Sequence, residues 1–359
     1  MGKKNDTIFF IPDISGFTDF VNETEISHSS HIISELLEGI MSKNTLKLDL
    51  VEVEGDALFY FKKGSLPDLG EVLDQARDMF LHFHHQLLLY KHRRICDCGA
   101  CSSSVNLGLK FIIHIGESEM VSLGKGKAKP FGKDVIFAHK LLKNQYSGRE
   151  YILTTENTGT DSDPEWFSSL DKQTLSFEDG QEVVFNDLTK LHNEIPPLPQ
   201  APVYEKAHDP IVSEAEIDAP IEILYELISN LDQQMLWKKK VKKLEYKENH
   251  VNRMGEKHLC YVDGKVLEIE TVAADFGEGS RVFGEKTNDI PFLKSITTYF
   301  ILNPNGMGGT NLRIEVHLEA KSLIGKLMYP IIRRTIQRIT KESLESIQSV
   351  GVSEMYPIA

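Results

Sequence analysis

The sequence predicts a two-domain α+β protein, and three observations carry that. The first half alternates strand-like and helix-like runs, from "TIFFIP" at 7–12 to "EYILTT" at 150–155. The second half opens with a strand and a helix, passes through many strand-like runs broken by Gly, Asn and Asp, and closes on one long amphipathic stretch. Between them, residues 192–210 ("HNEIPPLPQAPVYEKAHDP") hold five prolines, which stiffen the chain and exclude a continuous helix. The expected division is a domain at 1–192, a proline-rich linker at 193–207 and a second domain at 208–359.

The 359 residues suit two domains of ordinary size, and 41% hydrophobic residues are enough to fill two cores. A net charge of −13 argues against nucleic acid as a partner, because phosphate binding needs a concentrated basic surface. No apolar run has the length to cross a bilayer, and "MGKKND" leads into a strand with no cleavable leader pattern. A cytoplasmic protein is the expectation.

The elements follow in order. Residues 7–12 read as a buried strand. Residues 27–43 place Ile32, Ile33, Leu36, Leu37 and Ile40 at helical spacing. "LKLDLVEVEGDALFYFKK" alternates with period two about a central turn, a hairpin. Residues 70–91 form a long helix, "LGLKFIIHIGE" a strand, "GKDVIFAHKLLKNQ" a helix and "EYILTT" a strand. In the second half "IVSEAEIDA" is a strand, Pro220 opens a helix, strands fill about 242–320, and residues 322–349 form the closing helix. Such a series suggests a curved antiparallel sheet wrapped around that helix.

Two tips stand out. "IFFIPDISGF" ends a strand in Asp13, and "VEVEGDALFYF" puts Gly55-Asp56 at a hairpin tip. Either Asp alone reads as a turn starter. If the two strands are neighbours, the carboxylates converge as the oxygen ligands that Mg²⁺ or Mn²⁺ prefers.

With "LKFIIHIGE", "FGKDVIFAHKLLKN" and "EYILTT" following in order, residues 7–190 resemble the catalytic domain of class III nucleotide cyclases, the adenylate and guanylate cyclases. The resemblance implies a ferredoxin-like α/β fold and a homodimer whose sites are shared between subunits. Asp13 and Asp56 would be metal ligands, with Ile14 giving a backbone carbonyl. Phe17, Glu52 and Lys129 would fall at nucleotide-binding positions, and purine nucleotide would be the partner. The catalytic charge falls to Lys140, where the family has Arg; lysine keeps the charge but loses the bidentate fork. The family's transition-state Asn falls on Ile136, which donates no hydrogen bond. Two functions are therefore expected of this half: a purine nucleotide cyclase, or a fold of that kind kept for binding and dimerisation without turnover.

"HRRICDCGAC" gathers Cys96, Cys98 and Cys101 in one turn, enough to grip Zn²⁺ by three corners. His92 is the nearest fourth ligand; His84, His85 and Cys260 are the others. His28 and His31, at i, i+3 on a helix, read as exposed polar positions, and His114 as a packed core residue.

Residues 208–352 resemble the helix-grip superfamily of START domains, polyketide cyclases and birch-pollen-allergen proteins. "VSEAEIDAPIEILYELISNLDQQMLW" and "SLIGKLMYPIIRRTIQRITKESLESIQS" carry the likeness. It implies a cavity for a lipid or other hydrophobic small molecule, with Trp237, Tyr261, Phe283, Phe292, Tyr299 and Met328 as lining candidates. "WKKKVKK" at 237–243 reads as a solvated strand edge. Taken together, the chain is expected to be a signalling protein that joins a nucleotide site to a sensor for an apolar ligand.

Overall fold

The structure is a computed structural model. It describes all residues except 1–5, 25, 97, 123–127, 145, 156–162, 178–179, 200–208, 248–250, 278, 322 and 356–359. Two compact units emerge, one of residues 1–92 and 97–198, the other of 93–96 and 199–359.

The first unit runs β1 (Asp6–Ser15), α1 (Phe17–Glu23), α2 (Ile26–Ser42), β2 (Asp49–Glu54), β3 (Ala57–Lys63), α3 (Leu69–Arg93), α4 (Gly99–Ser103), β4 (Gly108–Glu117), β5 (Glu119–Val121), β6 (Lys129–Phe131), α5 (Lys133–Leu141), β7 (Tyr151–Thr155), α6 (Glu165–Ser168), β8 (Lys172–Ser176) and β9 (Glu182–Asp187). Its main sheet has the order β2-β3-β1-β4-β7-β9-β8, antiparallel except for β4 with β7. β1 lies between β3 and β4 and is buried along nearly its whole length, which is why it reads as an unbroken apolar run. Pro12 survives in this inner strand because the β3 ladder skips Ile11 and Pro12 and resumes at Asp13 opposite Ala57. Phe9, Ile11, Phe59, Ile112, Leu153 and Phe185 form the core against Ala138 and Leu141 of α5.

The second unit runs β10 (Ile211–Ile217), α7 (Ile221–Ser229), α8 (Leu231–Trp237), β11 (Val241–Glu245), β12 (Lys257–Val262), β13 (Lys265–Val272), β14 (Arg281–Thr287), β15 (Leu293–Pro304), β16 (Thr310–Ala320) and α9 (Leu323–Met355). One seven-stranded sheet, β10-β16-β15-β14-β13-β12-β11, is antiparallel throughout. α9 lies against β10 and β16. Close to its end, a side chain at Gly351 would meet Leu224 of α7 at 2.6 Å and Ile217 of β10 at 3.8 Å. The fold is thus mixed α+β with two sheets, and the second sheet closes over a long C-terminal helix, as the sequence predicts. Among the described residues no helix is long and apolar enough to cross a membrane.

Candidate functional site

The two acidic tips meet. The Ile14 N–H donates to the Asp56 carbonyl at 3.2 Å, which ties the end of β1 to the β2–β3 hairpin. Gly55, at φ +63°, takes the first place of the two-residue tip, where primed hairpin turns need left-handed backbone. The side chains of Asp13 and Asp56 interact directly. Burial first, and then the charge of Asp13, push the Asp56 carboxyl up to about 7. Phe17 stands over the tip, 3.7 Å from where a Gly55 side chain would begin.

Sequence reasoning missed the third member. Lys110 of β4 pairs with Asp13 in the ladder and sets its Nζ 3.0 Å from Asp13 Oδ2. Burial alone would lower the Lys110 pKa; the charges of Asp13 and Asp56 outweigh it and raise it. The alternation of "LKFIIHIG" places Lys110 on one face of β4, but only the pairing of β1 with β4 reveals which residue it meets.

Around the hairpin, Lys129 of β6 donates to Glu52 at 2.8 Å, and this hydrogen bond lowers the Glu52 pKa. His139 of α5 stacks on Phe59 at 4.4 Å and lies 3.5 Å from Glu54. Ile136 and Lys140 are one turn apart on α5 and both are exposed, Ile136 by 59%. Beyond the end of β1, a polar cavity of about 320 Å³ is lined by Gly16, Asp19, Glu23, Asn106 and Arg149; none of the motifs pointed to it.

The histidines sort differently from their sequence reading. His114 is packed as expected, with Nδ1 2.9 Å from Thr155 Oγ1 and Nε2 3.7 Å from Asp134. His84 and His192 both approach Glu150, at 2.9 and 2.6 Å, so His84 is no ligand for the cysteines. His92 is exposed near the end of α3, because the helical phase turns it outward. The imidazole beside the thiols belongs instead to His28, which is half-buried and not the exposed position that its spacing suggests. Cys260 is buried on β12, where burial raises its thiol.

In the second unit the register defines a helix-covered face. His258 pairs with Ile269, Thr271 with Glu285, and Phe283 with Phe300, so these side chains share it. Trp237 of α8 meets Phe300 edge-on at 5.6 Å, and Phe283 stacks on Phe300 at 6.1 Å. Tyr299 and Tyr261 lie on the other face by strand alternation, Tyr299 against Phe276 and Tyr261 bonded to Glu245 at 2.9 Å. Phe292 is half-exposed in the turn before β15, and Met328 is half-buried on α9.

The helix-covered face also holds a polar network that the sequence did not announce. Lys238, read as part of a solvated edge, sets its ammonium 2.7 and 2.8 Å from the two oxygens of Glu285, and Gln234 donates to the same carboxylate at 2.9 Å. Burial would raise the Glu285 pKa, but Lys238 and His258 bring it down. His258 is 3% exposed, and burial lowers its imidazole to about 4.

Fold and site define an α+β protein with paired carboxylates in one unit and a helix-gripping antiparallel sheet in the other. Known proteins fall into the same two halves. Residues 33–151 match the family described as "Protein of unknown function (DUF2652)", and residues 210–351 match "Polyketide cyclase / dehydrase and lipid transport". The uncharacterized protein Rv2561/Rv2562 of Mycobacterium tuberculosis is 31% identical over 124 residues, 34% of this chain; the match spans 57% of that relative's length. Among solved structures, the guanylate cyclase domain of RhGC from Catenaria anguillulae, in complex with GTP, aligns at 15% identity over 52% of this chain and 97% of its own, with a TM-score of 0.37. TTHA0849 from Thermus thermophilus aligns at 19% identity over 41% of this chain and 99% of its own, with a TM-score of 0.32.

Proposed function

We propose that the first unit binds a divalent cation, Mg²⁺ or Mn²⁺, together with a purine nucleoside triphosphate, and that the second unit holds a hydrophobic small molecule or lipid. The convergence of Asp13 and Asp56 carries the reading. One carboxyl is pushed up to about 7 by burial and its neighbour's charge, and an ammonium already leans on the other. Such an oxygen-rich, under-neutralised pair fits a hard cation. When bound, the cation would offset phosphate charge. Asp13, Asp56 and the Ile14 backbone would hold it, with Phe17 flanking the nucleotide. Glu52 and Lys129, already paired, would read the purine edge, and Lys140 would meet triphosphate charge across a homodimer. Exposed Phe131 and Ile136 support a partner on that side. The match of residues 210–351 to a lipid-transport family and the aromatic face of Trp237, Phe283 and Phe300 support the apolar ligand.

Calorimetric titration with Mn²⁺ and GTP or ATP tests the first unit. Saturable binding that Asp56→Ala abolishes supports it; no binding, or equal binding by the variant, overturns it. A thermal-shift screen against fatty acids and sterols tests the second unit, where stabilisation by ligand is the expected result.

A second reading, that nucleotide binds without turnover, is favoured by Ile136. Ile136 is an exposed alkyl group. By the resemblance it falls at the position of the family's transition-state hydrogen-bond donor, and the loss of such a donor costs orders of magnitude in rate. Incubation with Mn²⁺ and GTP or ATP separates the two. Cyclic product above the Asp56→Ala level makes the protein a cyclase.

A further inference from the structure

We infer that the chain carries a structural site for a soft divalent cation, zinc above others, built from His28, Cys98, Cys101 and Cys96. It is separate from the Asp13–Asp56 pair and does not depend on the function proposed for that pair.

His28 sits in the first turn of α2, seventy residues before the thiols it meets. Its Nδ1 is 3.2 Å from Cys98 Sγ and 3.6 Å from Cys101 Sγ. Around a tetrahedral zinc, with Zn–N of about 2.0 Å and Zn–S of about 2.3 Å, nitrogen and sulfur stand about 3.5 Å apart. Both observed distances bracket that edge. Two sulfurs closing on one ring nitrogen is what a shared metal requires, whereas a single imidazole nitrogen offers one lone pair or one proton to a hydrogen bond.

Cys98 caps the short helix α4, and its Sγ accepts the Cys101 backbone N–H at 3.4 Å. That bond fixes the sulfur at the mouth of the short helix, facing His28. Cys101 is fully buried, and Cys98 and His28 are half-buried. None of the three cysteines is in a disulfide. Cys96 enters through the chain itself. It stands two residues before Cys98, and two extended residues span at most about 7 Å, so the tether keeps a third sulfur within reach of the cluster.

Three thiolates and a neutral imidazole make a closed, soft set with no position left for substrate, the pattern of structural zinc. Its effect would be mechanical. The metal would pin the start of α2 to α4, a helix of five residues that has little stability of its own.

The test is elemental analysis of full-length protein purified without chelator, followed by X-ray absorption at the zinc edge. The expected result is about one zinc per chain, a shell of sulfur with one nitrogen, and loss of the metal in Cys98→Ser and Cys101→Ser. His28→Ala should weaken zinc at least tenfold and Cys260→Ser should leave it unchanged. Protein without stoichiometric zinc, a zinc shell without sulfur, iron in its place, or a Cys98–Cys101 disulfide in the metal-free protein would each overturn the inference. Because the wild-type shell is read directly, a variant that fails to fold leaves the result decisive.

Discussion

At the residue scale, Lys110 matters as much as the two aspartates. Its ammonium lies 3.0 Å from Asp13, so any incoming cation meets a positive charge already in place. At an effective dielectric of 20, like charges 5 Å apart repel by roughly 3 kcal/mol before screening. Lys110→Met should therefore tighten Mn²⁺ binding about tenfold or more in titration calorimetry; unchanged or weaker binding would mean that Lys110 serves to orient Asp13. Asp56 has a related cost. Its folded pKa of about 7 lies above the usual carboxylate value, so its share of stability is full below pH 4 and is lost as pH rises towards 7 and beyond. Asp56→Asn, which cannot ionise, should melt higher than the parent at pH 8 without metal, by about 2–4 °C for each kcal/mol relieved. A lower melting temperature would contradict the shift. His258 works with the opposite sign. Burial first, and then the charge of Lys238, hold its pKa down at about 4 against the pull of Glu285, so its share of stability is full above pH 6.5 and fades as pH falls towards 4. Over that window the protein should lose roughly 3 kcal/mol through this one residue. His258→Leu should flatten the slope in urea titrations between pH 4 and 6.5.

Among the elements, β14 shows how tightly the second sheet is packed on its outer side. A methyl group at Gly284 would stand 2.7 Å from the Val272 carbonyl and 2.8 Å from the Tyr299 ring. Gly284→Ala should cost about 1–3 kcal/mol by chemical denaturation, since overpacking forces backbone to move. A neutral result would show that β13 yields freely. The hairpin of the first unit makes a milder case. Gly55→Ala meets only ordinary contact at 3.7 Å, so its cost of about 1 kcal/mol comes from φ +63° alone. Both glycines are visible in the sequence, but neither crowding nor backbone sign is. The elements themselves were largely legible, because each strand and helix announces its period locally. The short elements were not: "LDQQMLW" is a helix of seven residues, α8, and α4, α6 and the strands β5, β6, β8 and β9 show too few residues to announce a period.

For the whole molecule, the first unit assembles clusters from distant parts of the chain. Glu150 holds His84 and His192, 66 residues before it and 42 after it, and His28 reaches thiols seventy positions on. The Glu150 pKa is lowered by His84 and His192 against the effect of burial, so its contribution to stability is present at neutral pH and falls as the carboxylate protonates in acid.

What the sequence determined by itself was local: the order of the longer strands and helices, the two aspartate tips and the clustering of three cysteines. These rest on periodicity and turn chemistry, which act over a few residues. The tertiary structure decided which side chains meet. Lys110 joined Asp13 because β1 and β4 pair in that register. His28 replaced His92 because helical phase turned one inward and the other out. Tyr299 and Phe300 parted because a strand sends neighbours to opposite faces, and only the packing of α8 says which face is covered. Such meetings depend on register and layer, set by burial across the whole chain, and no short stretch of sequence encodes them.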